Sequence, residues 1–450
     1  VVLGGAPVAR ETLRGELEAV PDLTVLERPE DLDRYSKDAY DYSPVLRERL
    51  RFCRAALVVR PETVDAVACV AAACCRHGIA LTLRGAGTGN YGQSVPLEGG
   101  VVMLMGRLRA VRTIEATTGV VTVECGCLLK DLDQVLRGHG RQLRLLPSTW
   151  RSATIGGFIA GGSGGIGSVR WGFLRDPGHL LGLEVVTMEP EPKRLQLEAS
   201  DAEALNHAYG TNGIITALTL ATAPTVDWQE VVIDCVDWPS AVELARRCCG
   251  SALDLHLCTV LEAEVVAQLP VWDFPDTKAD RVLLLSAPDA VSTLERLAAD
   301  CGADVVYRGE EMHHAGHGLR ELTWNHTTLH LRQHDPEWTY LQMLLPQPEL
   351  DCLQALKQTW GGDVLIHLEA VRQQGVQRLA ALPLVRWRGA EELERLMQQC
   401  RELGALIFNP HVLTVEGGGL GVVDGDQVAA KRRLDPAGLL NPGKLGGFSS

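Results

Sequence analysis

At 450 residues the chain exceeds one ordinary domain and has the length for more than one sizeable core. Its 46% hydrophobic and 22% charged residues are those of a globular protein; no apolar run approaches the roughly 18 residues that cross a bilayer, and no signal peptide is visible, although a start at Val1 rather than Met also fits a processed or trimmed N-terminus. A formal charge of −14 argues against a nucleic-acid partner, and thirteen cysteines, an odd number that includes the neighbours Cys74-Cys75 and Cys248-Cys249, match reduced cytoplasmic usage rather than a disulfide framework.

Residues 1–50 carry a helix near Val8 to Glu18 and a tyrosine-bearing turn from Tyr35 to Pro44. A strand over Ala55 to Val59, a helix from Pro61 to Gly78 with Val64, Val67, Ala68 and Ala71 on its apolar side, and an apolar run Ile79 to Leu83 lead into Arg84-Gly85-Ala86-Gly87-Thr88-Gly89-Asn90. Alternate glycines let the backbone take positive φ and turn successive N–H groups into one concavity for phosphate oxygens, with Arg84 adding charge at its lip. A tight structural turn fits the same residues, because the Lys-Ser/Thr ending of a P-loop is missing.

A strand at Val101 to Met105 follows, then a hairpin of Val111 to Ala116 with Val120 to Cys125, and a helix over Leu128 to Leu136 whose leucines share one face. Cys125 and Cys127 lie two apart and face one side of a strand; buried small hydrophobes and a metal or redox pair both fit. Gly162-Ser163-Gly164-Gly165-Ile166-Gly167 matches the GxGxxG of a nicotinamide-binding unit, with Glu184 near the expected interval. The context fails, since Ser168 to Pro177 has glycine and proline where a helix must open. A second hairpin (Leu180 to Thr187, Arg194 to Glu198), a helix at Ala202 to Tyr209 and a strand at Ile214 to Ala221 complete this part. From about Thr225 strands and helices alternate anew, through Val231 to Val236, Ala241 to Cys249, His256 to Leu261, Val282 to Ser286 and Val291 to Asp300. Gly309 to His334 interrupts them with His313, His314, His317, His326, His330 and His334; a strand bearing His367 and a helix at Glu391 to Leu403 follow. The whole reads as α+β.

Four ordered stretches carry a family resemblance: Arg60-Pro61-Glu62 to Asn90 with Val101 to Leu104; Leu146-Pro147-Ser148 with Ala153 to Gly162; Gly210 to Ala217; and Asp435 to Lys444. Together the chain resembles the vanillyl-alcohol oxidase and p-cresol methylhydroxylase (PCMH) superfamily of FAD-linked oxidases, to which glycolate and D-lactate dehydrogenases belong. The resemblance implies an N-terminal segment (1–50), a PCMH-type FAD-binding domain of two α+β subdomains (51–224), an α+β cap or substrate domain (225–404) and a closing segment (405–450). It implies that Arg84, Gly85, Ala86, Gly87, Thr88, Gly89 and Asn90 hold the FAD pyrophosphate. Pro147, Ser148, Thr154, Gly156, Gly157, Gly161 and Gly162 would form a second flavin-contacting segment, Gly213, Ile214 and Ile215 the adenine side, and Asn441 and Lys444 the C-terminal contact. The Gly162 to Gly167 loop then lets backbone approach the flavin, with Arg170, Trp171 and Arg175 near by. Covalent members carry histidine where this chain has Thr88 or a neighbour, so FAD is expected to be non-covalent.

A flavin accepts hydride while a positioned base takes a hydroxyl proton. The catalytic candidates are His326 as base, Asn325 on a hydroxyl or carbonyl, and Trp324 as a pocket wall, with His330 on the side of His326; His313, His314 and His317 read as a solvated loop. Hydroxy-acid members bind a divalent metal through His-x-Gly-Asp-Gly-Asn-x-His and Glu-His-Gly. This chain keeps only Gly361-Gly362-Asp363 to His367 and Val415-Glu416-Gly417, so a metal is doubtful; His367, His411 and Glu416 could still form a modified site with His326. Lys444 reads either as a stabiliser of negative charge on the reduced ring or as an exposed terminal lysine. The implied activity is FAD-dependent oxidation of a small hydroxylated substrate, a 2-hydroxy acid first, whose carboxylate arginines such as Arg170, Arg175, Arg332 or Arg386 would gather. A flavin-binding subunit or module with little catalysis of its own is the alternative. Quinone, oxygen or a partner protein all remain open as electron acceptor.

Overall fold

The computed structural model describes residues 7–270, 277–311 and 317–448, so His313 and His314 lie outside the described residues. Three main sheets with helices packed on them give the α+β architecture expected from the sequence. Among the described residues no helix is long and apolar enough to cross a membrane.

In the first sheet, Leu57–Pro61 and Leu81–Arg84 both run parallel to Val101–Leu104 between them, and Leu23–Leu26 adds antiparallel to Leu57–Pro61. The crossover is the helix Val64–His77. It starts three residues later than the sequence pattern indicates, because Pro61 still belongs to the strand and Thr63, in extended conformation, caps the helix by accepting from the Ala66 N–H. Gly78, at φ 61°, ends it.

The second sheet is antiparallel, in the order Val111–Glu115, Val120–Glu124, Ile214–Ala221, Leu180–Val186, Arg194–Glu198. The expected helix from Ala202 to Tyr209 is cut to the turns Ala199–Ala202 and Glu203–Leu205. Asn206 leaves the helical path, donating to the Leu174 carbonyl and accepting at its own carbonyl from Gln427 Nε2, and His207 and Tyr209 follow at φ 56° and 54°. After the GxGxxG look-alike the chain forms a single helical turn, Ser168–Trp171, closed by Gly172, with no nicotinamide-type unit.

The third sheet has eight antiparallel strands, ordered Asp304–Glu310, Gln229–Cys235, Asp280–Ser286, Leu255–Leu261, His367–Gln373, Val376–Ala381, Gln342–Leu344, Leu406–Phe408. Both halves run strand, helix, strand, strand, helix, strand: once with helices Trp238–Cys249 and Val291–Asp300, once with Glu349–Trp360 and Ala390–Glu402. The halves meet on a seam that pairs Thr259 with Glu369 and Leu261 with His367. The chain then returns to the first sheet. Leu81 donates its N–H to the Leu439 carbonyl at 2.9 Å and accepts from the Asn441 N–H at 2.7 Å, so the C-terminal segment covers the edge strand that feeds the glycine loop. One apolar core runs through all three sheets, from Leu57 and Val67 through Leu183 and Ile214 to Leu261 and Leu365.

Candidate active site

Where the sheets converge lies a cavity of about 230 Å³. Of the residues singled out from sequence, Gly85, Ala86, Gly87, Thr88, Gly89, Asn90, Pro147, Ser148, Thr154, Gly156, Gly157, Gly161, Gly162, Gly213 and Ile215 line it, and so do Trp324 and Asn325. Arg84, Ile214, His326, His367, Glu416, Asn441 and Lys444 do not.

The glycine loop supplies backbone. Gly87 alone of its three glycines has positive φ, 73°. Gly85 and Gly89 are needed for room: a Cβ on the first would run into Thr154 Oγ1 and on the second into the Gln93 amide. Within the described residues the N–H groups from Gly85 to Asn90 find no protein acceptor, which leaves a row of donors over the cavity. Opposite, Thr154 caps the helix Ile155–Gly161 by accepting from the Gly157 N–H. Gly156 lies so close to Cys125 that a Cβ would stand 2.8 Å from its carbonyl oxygen. Cys125 itself faces the cavity, its thiol pushed up to about 12 by burial, which makes it packing rather than a reactive group.

Several expectations are corrected. Arg84 is buried beneath the loop, where its Nη1 donates to the Lys37 carbonyl at 2.5 Å and to Ser94 Oγ at 3.2 Å; it ties the N-terminal turn to the cradle instead of charging its lip. Lys444 is not an exposed terminal lysine and does not line the cavity: fully buried, it donates to the carbonyls of Gln93 and Val95, and burial lowers its pKa to about 7. Asn441 donates to the carbonyls of Gln93 and Tyr209, and Ile214 points into the core because strand neighbours face opposite sides. Glu416 accepts the N–H groups of Gly446 and Gly447. His326 and His330 do share one side, turned to Glu321: His326 Nδ1 is 3.2 Å from its carboxylate and His330 Nε2 2.7 Å from its carbonyl.

The modified metal site does not assemble. His411 is held between Ser43 Oγ and the Tyr340 carbonyl, remote in bonding from His367, Glu416 and His326, and among the described residues no three metal-ligating side chains converge. The arginines are equally committed. Arg170 pairs with Asp254, Arg175 with Asp424 and Arg386 with Asp335, while Arg332 donates to the carbonyls of Asp41, Pro336 and Trp338.

From the eight-stranded side, among the described residues, only Trp324, Asn325 and Gln342 reach the cavity. Trp324 sits at φ 53°, a strained setting for a bulky residue, and its N–H donates to Glu369 Oε1 at 2.7 Å. Glu369, 1% exposed on the seam, also accepts from His367 Nε2 at 2.7 Å and Thr259 Oγ1 at 2.6 Å. His367 therefore supports Trp324 from behind and touches nothing in the cavity. Trp324 Nε1 and Asn325 Oδ1 are buried without a protein partner.

Sequence reasoning missed Asp38, Tyr91, Gln93, His207, Tyr209 and Gln342, all of which line the cavity. Asp38 accepts from the N–H groups of Tyr40 and Ser94, and burial raises it to about 6. His207 has Nδ1 2.8 Å from the Gly162 carbonyl, and burial lowers its pKa below the ordinary value. It is then the neutral tautomer with hydrogen on Nδ1, leaving the Nε2 lone pair free to accept a proton. The tyrosine-bearing turn signalled Asp38; His207 sat inside a stretch whose pattern reads as helix.

Comparison with known proteins agrees with this geometry. Residues 55–195 match the family described as FAD binding domain. The glycolate oxidase subunit GlcD of Escherichia coli (strain K12) is 27% identical over 245 residues, 52% of this chain and 46% of that protein. Mitochondrial D-2-hydroxyglutarate dehydrogenase of Bos taurus is 28% identical over 305 residues, 65% of this chain and 53% of that protein. The chain thus spans about half the length of these curated relatives. A solved alkyldihydroxyacetonephosphate synthase shares the fold, with a TM-score of 0.75 at 15% identity over 98% of this chain and 87% of that one.

Proposed function

Residues 55–195 being a PCMH-type FAD-binding domain, we propose that the protein is an FAD-dependent oxidoreductase acting on the CH–OH group of a small 2-hydroxy acid. One observation carries this reading: a single cavity joins a row of unpaired backbone donors to a wall of polar side chains that includes a neutral imidazole. The donors from Gly85 to Asn90 fit a pyrophosphate, and the crowded glycines Gly85, Gly89 and Gly156 leave room where a side chain would fill the cradle. Ser148, Thr154, Gly157, Gly161, Gly162, Gly213 and Ile215 would complete the FAD site, held without a covalent bond. When bound, FAD supplies the hydride acceptor.

The chain's own residues then bind, orient and move the proton. His207 Nε2 takes the hydroxyl proton, with Nδ1–H pinned on the Gly162 carbonyl to keep the acceptor facing the cavity. Trp324 closes the wall and excludes water, and Asn325 lines the cavity beside it. Glu369 holds both in place through the Trp324 N–H.

The test is an anaerobic absorption spectrum of FAD-loaded protein as D- and L-2-hydroxy acids are added. Bleaching of the flavin band is expected, slowed on the order of 10²–10³-fold in His207→Asn with FAD content unchanged. Because His207 must be neutral, the rate falls as pH drops below its lowered pKa, on the acid side of 6.5. A flavin band that no 2-hydroxy acid bleaches sinks the reading; unchanged reduction in His207→Asn removes the proposed base.

A further inference from the structure

A 2-hydroxy acid brings a carboxylate, and a carboxylate is normally met by a cation or a metal. Among the described residues lining the cavity there is no lysine or arginine, and the only formal charge is that of Asp38. Something neutral must read the anion, and one wall of the cavity is built for it.

Two hydrogen-bonded pairs stand there. Asn90 Nδ2 donates to the Tyr340 phenol oxygen at 2.6 Å, and the Tyr91 hydroxyl donates to Gln342 Oε1 at 2.7 Å. Tyr340 is fully buried and Tyr91 8% exposed, so bulk water does not compete. A phenol carries one proton, and Tyr91 gives its proton to the oxygen of Gln342. The amide of Gln342 is thereby held with its oxygen turned to Tyr91. Its Nε2 has no protein acceptor among the described residues, is not sealed off, and belongs to a residue that lines the cavity.

Resting on the 2-hydroxy-acid reading, we propose that Gln342 is the residue that reads the substrate carboxylate, through the N–H donors of its side chain. Tyr91 is the positioning residue that sets which end of that amide faces inward. A neutral reader has a consequence that a guanidinium would not. It discriminates modestly between a carboxylate and a carboxamide, since its donors serve either oxygen.

The experiment uses FAD-loaded full chain and compares glycolate with glycolamide, and lactate with lactamide, by anaerobic flavin reduction. A parallel titration of oxalate follows the shift of the flavin band. Wild type is expected to show KM values for acid and amide within about tenfold of each other. Gln342→Leu should raise KM for glycolate, and the Kd for oxalate, about tenfold or more with the limiting reduction rate within about twofold. Gln342→Glu should do so more strongly for the acids than for the amides, because it places a carboxylate where the donors were. Tyr91→Phe keeps the shape, frees the amide to flip, and should raise KM about threefold to tenfold with FAD content unchanged. Unchanged KM and Kd in both Gln342→Leu and Tyr91→Phe, or an acid preferred over its amide by more than about a thousandfold in wild type, overturns the proposal. If wild type holds FAD and no 2-hydroxy acid reduces it, the functional reading falls first and this assignment with it.

Discussion

On the side of the parallel sheet the cavity wall is backbone: Gly85 to Asn90 line it with N–H groups that have no protein acceptor among the described residues, and Gly156 lies against Cys125. On the side of the eight-stranded sheet it is side chain. Trp324 with its neighbour Asn325, and Gln342, come from two separate points of the fold, Trp324 held by the buried Glu369 and Gln342 by the buried Tyr91. The first wall needs closeness and fails when anything is added. The second needs orientation and fails when a partner is removed.

The sharpest way to test that contrast is to add atoms to the first wall. Gly156→Val places methyl groups against the Cys125 backbone, and the purified protein should carry essentially no FAD, measured as flavin absorbance per polypeptide. Full occupancy in a folded variant would show that the crowding there is not what shapes the cradle.

Removing a partner from the second wall should act on stability and leave the cofactor. Glu369→Ala strands the Trp324 N–H, His367 Nε2 and Thr259 Oγ1 in the core; we expect a loss of about 4 kcal/mol in urea unfolding, with FAD retained under native conditions. A variant as stable as wild type would mean the seam carboxylate is dispensable and Trp324 is held otherwise.

The smallest effect concerns the joint between the walls. His411 bridges Ser43 and the Tyr340 carbonyl, and burial lowers it to about 4 against an ordinary 6.5. Between those values the unfolded chain binds the proton and the folded one does not. The contribution is therefore complete above pH 6.5 and lost as pH falls toward 4, worth about 3 kcal/mol. Unfolding free energies at pH 7 and pH 4.5 in wild type and His411→Gln measure it; equal pH slopes in the two would assign the acid sensitivity elsewhere.

The same contrast governs what could be read from the residues alone. A wall made of backbone must be written in glycine, and glycine spacing is visible in a sequence; Gly85, Gly87, Gly156 and Gly213 were legible for that reason. A wall made of side chains depends on which distant elements meet. Nothing in the local pattern distinguishes Gln342 from any other glutamine, and the positive φ that turns His207 inward comes from Asn206 and Gln427, a contact across 221 positions. Motif residues were also over-read. Arg84, Asn441 and Lys444 belong to matching segments, yet they bind the chain's own carbonyls and fasten the segments to each other. The repeat in the eight-stranded sheet left no readable period either, because a helix-and-strand module tolerates almost any residues of the right polarity.

The C-terminal segment that lies along Leu81 has a bearing on how the protein comes into being. The strand that launches the glycine loop leaves the ribosome long before the strip that completes its edge, with the Lys444 ammonium under Gln93 and Val95. Until that strip emerges the edge stands bare, open to pairing with another nascent chain. The cofactor site is thus closed only when Leu439 to Lys444 have been released and can thread back across the molecule.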